Sequence, residues 1–593
     1  MVESRDVVVV GGGPAGSTFA AIAAKYDPSA RITVLEREHH PRYHIGESLI
    51  PVANGVFHDL ELFDTLYDGR FVKKLGITFV WGRDRTPWDA DYLEIETIQR
   101  DDGTQILDVV GQDFTSLLRR ELRRDQPFTA INVRRAEFDK LLIDQARHFG
   151  AEVREGTEAV KLHTDDAGRV TGVSWRDDTG AQGRIDAPLV IDASGLAAFG
   201  GRGEREYCPD LANFAVSGYF RGADWKIVFR GHAHEATNVF IASVEHGWLW
   251  YIPVGPDLVS CGAVTSTRHF KDRLKHVDLE AFFWEMVRSC PEIAPLVAQA
   301  ELVDDMLPGG KRVQATRDWS GWAKTPVRPG YVAVGDSAIF VDPILSSGLT
   351  MAVQSGHRAA YTFNTLRKRP ELDAAELWGA YADYVRGEAG SYLTLARYYY
   401  GNNKAADSWW WQAQRQVNPA GQLRLDDREA FTLATAGFFP TPRAISVEIM
   451  APLLEGLLGT DADLKNIYHA SGLPQGADLE RARITVRTPF SLKLRGEPEE
   501  HSNPDGLLNV FHDLVADDFD FAHRNAAVPC RIAPALAPIV AALPRFATVA
   551  ELLEAAPDLI PGGHGRADEV RQSTLAILRN AAKKGFIALE GPP

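Results

Sequence analysis

The sequence predicts an α/β (α+β) fold: a doubly wound nucleotide-binding core, an inserted antiparallel sheet and a mostly helical C-terminal region. Three observations predict it. "DVVVVGGGPAGSTFAAIAAKY" (6–26) is a continuous apolar run, a glycine-rich turn, then small residues at helical spacing. That is the pattern of a buried parallel strand feeding a helix. Two more apolar runs, "LVIDASG" (189–195) and "GYVAVGD" (330–336), read as later strands of the same sheet. "GWLWYIP" (247–253) places Trp248 and Trp250 two apart, so both point to one side of a strand.

The elements follow in chain order. Gly11, Gly13 and Gly16 fit G-x-G-x-x-G, with Ala15 at the helix start. Gly11 suits the tight turn, Gly13 lets backbone approach a pyrophosphate, and Gly16 allows close helix–strand packing. The helix N-terminus then faces the phosphates. "RITVLER" (31–37) ends in Glu36, 20 residues after Gly16, where a carboxylate suits a ribose hydroxyl. In "FVKKLGITFVW" (71–81), Leu75, Ile77, Phe79 and Trp81 alternate on one apolar face. Strict alternation puts Lys74 with Gly76 and Thr78 on the other face, and Lys73 in the apolar phase. On its own, "GWLWYIP" reads as a core strand, since aromatics are enriched in strands.

Beyond residue 360 the pattern turns helical and aromatic, as in "RYYYGNN" (397–403) and "WWWQ" (409–412), which suit a stacked core or a substrate lining. "LRGEPEEHSNPDG" (494–506) reads as a linker. "FATVAELLEAAPD" and "VRQSTLAILRNAAKKGFIALE" follow as helix, helix and short strand, a small winged-helix-like end. The expected organisation is a core at 1–360 with inserted sheet at about 70–115 and 205–320, a helical region at 361–493, and a module at 494–593.

A net charge of −16 over 593 residues argues against a nucleic-acid binder. The basic clusters Arg119, Arg120, Arg123, Arg124 and Arg367, Lys368, Arg369 read as solvated helix faces. Cys208, Cys261, Cys290 and Cys530 form no CxxC pair and no HExxH occurs, so neither a disulfide framework nor a metal site is expected. No apolar run has the length of a membrane span and no signal-peptide pattern opens the chain, which sets a cytoplasmic expectation.

Together with the two later strands, "PRYHIGESL" (41–49) and "VRRAEFDKLLIDQA" (133–146) resemble the glutathione-reductase-like FAD fold of the p-hydroxybenzoate-hydroxylase type. The resemblance implies FAD, held by the Gly11–Gly16 motif, Glu36, Arg42, Ser48, Arg135, Asp192, Gly195, Gly335 and Asp336. "GWLWYIP" also matches the WxWxIP motif of flavin-dependent halogenases, through Trp248, Trp250, Ile252 and Pro253. "FVKKLGITFVW", "TRDWSGW" (316–322) and "DPILSSGL" (342–349) resemble further segments of that family, in the same order.

That resemblance implies a two-component enzyme using reduced FAD, O₂ and chloride or bromide. The backbone at Ser347 and Gly348 would seat the halide, and Lys74 would take hypohalous acid by hydrogen bonding or as a haloamine. The two tryptophans would wall the flavin from the substrate. No second G-x-G-x-x-G follows a strand, so a separate flavin reductase is the expected source of reduced FAD. Tryptophan halogenases carry a glutamate where this chain has Leu345, which points away from free tryptophan toward phenolic, pyrrolic or acyl substrates, carrier-bound ones included. A hydroxylating monooxygenase of similar fold is the alternative, and a catalytically retired FAD-binding scaffold a third reading.

Overall fold

The computed structural model describes residues 2–82, 85–92, 129–224, 237–401, 435, 477–487, 489–498, 505–516, 530–583 and 586–590. The stretch "WWWQ" and the basic cluster at 119–124 lie outside them.

The run Val7–Val10 is the centre of the nucleotide-binding sheet. The order across this sheet is Val327–Arg328, Tyr331–Ala333, Val190–Asp192, Val7–Val10, Ile32–Leu35, Glu152–Arg154, parallel after the first pair. Val7, Val8 and Val9 are wholly buried, as expected of a parallel strand covered on both faces. The chain leaves Val10 at the carboxyl end of the sheet, where ligands of such folds collect. The helix Pro14–Tyr26 starts there and is buried along residues 14–24. The helix Gly348–Lys368 passes so close that a Cβ at Gly356 would lie 2.2 Å from the Ala15 carbonyl oxygen.

A larger sheet stands beside it, ordered Ile339–Phe340, Val313–Ala323, Arg205–Arg221, Leu258–Ser266, Gly247–Gly255, Thr237–Val244, Val72–Val80, Trp88–Asp91. It is antiparallel except where Val72–Val80 runs parallel to Thr237–Val244. Those two strands come from distant parts of the chain, so no hairpin dictates their direction. One face of the sheet packs Leu249 and Tyr251 against Phe282, Phe283 and Met286 of the helix Leu279–Arg288. The opposite face carries Trp248, Trp250 and Ile252 into the main core.

The helix Ala374–Gly401 follows the core. Residues 494–498, read from the sequence as linker, instead complete the strand Phe490–Pro498, which pairs with Leu508–Ala516. The reading missed that "FSLKL" ahead of them already carries an alternating apolar pattern. The helix Val549–Leu559 opens with a capping box between Thr548 and Glu551. It packs with the helix Ala567–Lys583, and the strand Ile587–Glu590 pairs with Arg483–Val486. These elements form a hydrophobic cluster of their own between Leu479 and Leu589.

Candidate active site

A cavity of about 590 Å³ runs from the glycine turn to the tryptophan strand, within the range of cofactor and ligand sites. Its nucleotide end is built from backbone. Gly11 has φ +106°, and a Cβ there would sit 2.4 Å from the Ala193 carbonyl oxygen. A Cβ at Gly16 would lie 2.0 Å from the Gly11 carbonyl oxygen, so Gly16 serves the helix–strand contact rather than the cavity wall. Gly13 is different: its Cβ would meet only an Arg42 guanidinium nitrogen, at 3.4 Å. No side chain caps the helix at Gly13, and the cavity reaches Gly13, Pro14 and Ala15. Glu36 lines the same end and accepts hydrogen bonds from Gly12 N at 2.7 Å and Glu38 N at 2.9 Å.

The remaining expected cofactor residues separate into wall and frame. Arg42, Ser48, Arg135, Gly195 and Asp336 line the cavity. Asp192 does not. Its carboxylate is occupied by Ser194 N and Oγ, Gly200 N, Tyr331 OH and Ser337 Oγ, so it braces the loop that carries Gly195. Gly335, at φ +57°, also sits behind the wall, where its Cβ would press on Ala15. Arg135 binds Asp139 through two nitrogens at 2.8 and 3.0 Å and donates to the Ile45 and Gly46 carbonyls. It thereby fixes the loop holding Glu47 and Ser48. Burial pushes the Asp336 carboxyl up to about 6, against the pull of Arg135 and Arg205.

The residues fit FAD. Among the described residues, Ser48 Oγ and Arg42 Nε, both of residues lining the cavity, are buried without a hydrogen-bond partner, an uncommon cost unless something else satisfies them. The open positions above Gly13 and Gly348 lie on the same cavity.

The far end holds the tryptophans. Trp248, Trp250 and Ile252 line the cavity, whereas Pro253 pairs opposite Val259 on the other face of the sheet. The Trp248 and Trp250 ring centroids are 6.1 Å apart. Gly262, opposite Trp250, makes room for that ring, since a Cβ would approach it to 2.2 Å. Each indole is anchored. Trp248 Nε1 donates to Tyr400 OH at 2.6 Å, and Tyr400 OH donates to Asp342 at 3.0 Å. Trp250 Nε1 donates to Ser260 Oγ at 3.2 Å.

Ser347 caps the helix Gly348–Lys368 at this end. Ser346 before it adopts φ +56°, rare for a residue with a side chain, and Gly348 has nothing within 4 Å of its Cβ position. Strained backbone of this kind gathers at functional sites. The helix start leaves its first N–H groups without intrahelical partners.

Lys74 is wholly buried while Lys73 is exposed. Its Nζ donates to the Leu49 carbonyl at 2.9 Å and lies 5.6 Å from the centre of the Tyr92 ring. Among the described residues it has no ion pair, and burial holds its pKa well below the usual lysine value. It lies behind the cavity lining rather than on it. The strict alternation expected around it does not hold. The pairing with Thr237–Val244 shifts between Lys74–Thr237 and Ile77–Val239, so Leu75 and Gly76 oppose Asn238 alone. A bulge of this kind re-aims the side chain next to it, and Lys74 is out of the phase that Gly76 and Thr78 share. Gly76 is needed for another reason: a Cβ there would lie 2.1 Å from the Ala90 carbonyl oxygen.

Asp342, Tyr219 and Tyr400 are polar residues at the site that the sequence does not single out, and Glu47 stands in the Gly46-Glu47-Ser48 element of the FAD resemblance. Glu47 lines the cavity and accepts from Tyr219 OH at 2.6 Å. Asp342 is fully buried beside Tyr400 and Asn213, and burial raises its carboxyl to about 6. Glu47 and Asp342 stood inside recognised motifs, but Tyr219 and Tyr400 come from distant elements and carry no local signal.

A family model described as tryptophan halogenase matches residues 6–100 and 123–432. A tryptophan 2-halogenase of Chondromyces crocatus is 26% identical over 480 residues, 80% of this chain and 79% of its own length. A 1H-pyrrole-2-carbonyl-(peptidyl-carrier protein) chlorinase of Pseudomonas fluorescens is 31% identical over 364 residues, 60% of this chain and 74% of its own. The solved myxobacterial chondrochloren halogenase, an FAD-dependent variant, matches with a TM-score of 0.58 at 28% identity, over 78% of this chain and 99% of that one. The flavin-dependent halogenase CmlS, at 22% identity and a TM-score of 0.63, spans 100% of this chain and 96% of its own, and shares the fold. Among the described residues no helix is long and apolar enough to cross a membrane.

Proposed function

The chain belongs to the tryptophan halogenase family and is a flavin-dependent oxidoreductase; on that premise we propose that it halogenates its substrate in two separated stages, with the halide oxidised at the flavin end and the halogen delivered at Lys74. FAD, when bound and reduced by a separate reductase, supplies the electrons and, with O₂, the electrophilic oxygen. The Gly11–Ala15 turn and helix N-terminus hold its phosphates, Glu36 its ribose, and Arg42, Ser48, Arg135 and Asp336 the rest of the wall. The backbone N–H groups at Ser347 and Gly348 seat chloride or bromide, since a helix start favours an anion and Gly348 leaves space. Trp248 and Trp250, locked by their anchored indoles, keep a bulky substrate from the oxygen chemistry while a small oxidant passes.

The observation that carries this reading is Lys74 itself. Burial without a counter-ion among the described residues lowers the Lys74 pKa and so favours the neutral amine, the form that electrophilic halogen requires. Hypohalous acid and the amine give a haloamine and water, and the substrate then takes the halogen while the amine regains its proton. Lysine suits this chemistry because its pKa moves readily on burial.

For the substrate class, Leu345 in place of a glutamate and the likeness to a chlorinase of carrier-bound pyrrole favour a pyrrolic, phenolic or acyl group, free or tethered to a carrier protein. The likeness to a tryptophan 2-halogenase makes tryptophan the necessary control. The test is turnover with FAD, a flavin reductase, NADH and halide, read by mass spectrometry across such substrates. A product gaining halogen supports the reading; one gaining oxygen makes the protein a hydroxylase.

A further inference from the structure

The cavity contains a buried carboxyl that the halogenation steps above do not use. Glu47 is 5% exposed and lines the cavity together with Tyr43, Arg135 and Trp250. Two strands hold the carboxyl and a third contact holds the Glu47 backbone. Tyr219 OH, on the strand Arg205–Arg221, donates to it at 2.6 Å. Ser260, on the strand Leu258–Ser266, hydrogen-bonds it and also accepts from Trp250 Nε1. Its own backbone carbonyl accepts from Val133 N at 2.7 Å. The charged and titratable groups facing it are Arg135, Tyr219 and Tyr43, with His44 and Asp336 beyond Arg135. Arg135 directs two nitrogens to Asp139, and among the described residues Glu47 makes no ion pair, though the Arg135 charge still reaches it.

We propose that Glu47 is the proton-exchanging group of this cavity, giving a proton to an oxyanion formed within the cavity and recovering one from water. The O–H bond of the carboxyl breaks and an O–H bond forms on the acceptor. The bonding pair stays on the carboxylate, no electron is exchanged at Glu47, and bulk water restores the proton. This rests on the halogenase reading above. Burial raises the Glu47 carboxyl to about 7, with Ser260, Tyr219 and Arg135 pulling it down. An acid poised near neutrality is suited to proton transfer in both directions.

The test uses the FAD-loaded protein and two readouts. Infrared titration of the wild type shows the carbonyl band of a protonated carboxylic acid disappearing as pH rises through about 7. Glu47→Gln lacks that band, while Asp336→Asn keeps it. Halogenation by the wild type falls about tenfold per pH unit above that midpoint, and Glu47→Gln flattens the fall at a rate roughly 100-fold lower. Tyr219→Phe removes a donor to the charged form and moves both midpoints upward by about one pH unit. An unchanged band in Glu47→Gln, or a Tyr219→Phe midpoint that does not move, overturns the proposal. A Glu47 band that titrates in a protein yielding no halogenated product overturns the halogenase reading alone.

Discussion

At the nucleotide end of the cavity the proposed phosphate seat is backbone: the Gly11 turn, the open position at Gly13 and an uncapped helix start. At the other end the proposed halogen delivery rests on one side chain, Lys74, enclosed by protein with a single hydrogen-bond partner, the Leu49 carbonyl, among the described residues. The two ends carry different costs. Backbone N–H groups at a helix start are partnerless in any helix, so presenting them to a ligand costs the fold little. An amine stripped of water and denied a counter-ion costs stability in every molecule. The difference teaches where the protein holds function against stability: at the lysine, and not at the glycines.

Substitutions at the two ends sharpen the contrast. The largest effect belongs to Gly13→Val. The added side chain meets only Arg42 in the folded chain, so the protein folds with near-normal Tm but takes up no FAD, as flavin fluorescence titration will show. A folded Gly13→Val protein with normal FAD affinity would place the cofactor elsewhere. Gly348→Val follows. Nothing lies within 4 Å of its Cβ position, so folding survives while the halide is crowded out, and halogenation falls roughly 100-fold, by analogy with losing one preorganised donor.

Lys74→Met reverses the usual direction of a core change. The folded pKa of Lys74 lies below the unfolded value of 10.5, so below that pH the unfolded chain binds the extra proton and the wild type is penalised. The wild type therefore gains stability relative to Lys74→Met as pH rises toward 10.5. Thermal unfolding finds the variant more stable at neutral pH, with the gap closing in alkali; a gap independent of pH would mean the amine is charged in the fold. Ser347→Ala has the smallest effect, within about 0.5 kcal/mol in halide affinity, because the seat is backbone and the Ser347 hydroxyl has no partner among the described residues.

The same contrast explains what the sequence disclosed. Gly11, Gly13 and Gly16 were legible because backbone approach leaves a fixed spacing of glycines, and the structure gives each a distinct use. The aligned tryptophans were legible because strand alternation is local. The phase that separates Lys74 from Lys73 in the sequence is interrupted by the bulge at Leu75 and Gly76; the structure buries Lys74 and exposes Lys73 by another geometry. Bulges depend on the partner strand, here 160 residues away in sequence, and leave no local pattern. Asp192 illustrates the converse: a motif residue that the fold spends on bracing a loop. The Tyr219–Glu47 and Tyr400–Asp342 pairs join elements far apart in the chain and became visible only when those elements met.

The central claim is that oxidant generation and halogen delivery are separable, and Lys74→Ala tests it most directly. Oxygen consumption and halogenated product are measured side by side for the wild type, Lys74→Ala and Lys73→Ala, with reductase and halide present. The account predicts that Lys74→Ala binds FAD and consumes oxygen as before while product falls by several orders of magnitude, since a group held in attack geometry contributes about 7–11 kcal/mol. Lys73→Ala, changing an exposed side chain, stays near wild type in both. Near-normal halogenation by Lys74→Ala, or a parallel loss of oxygen consumption and product, would contradict it.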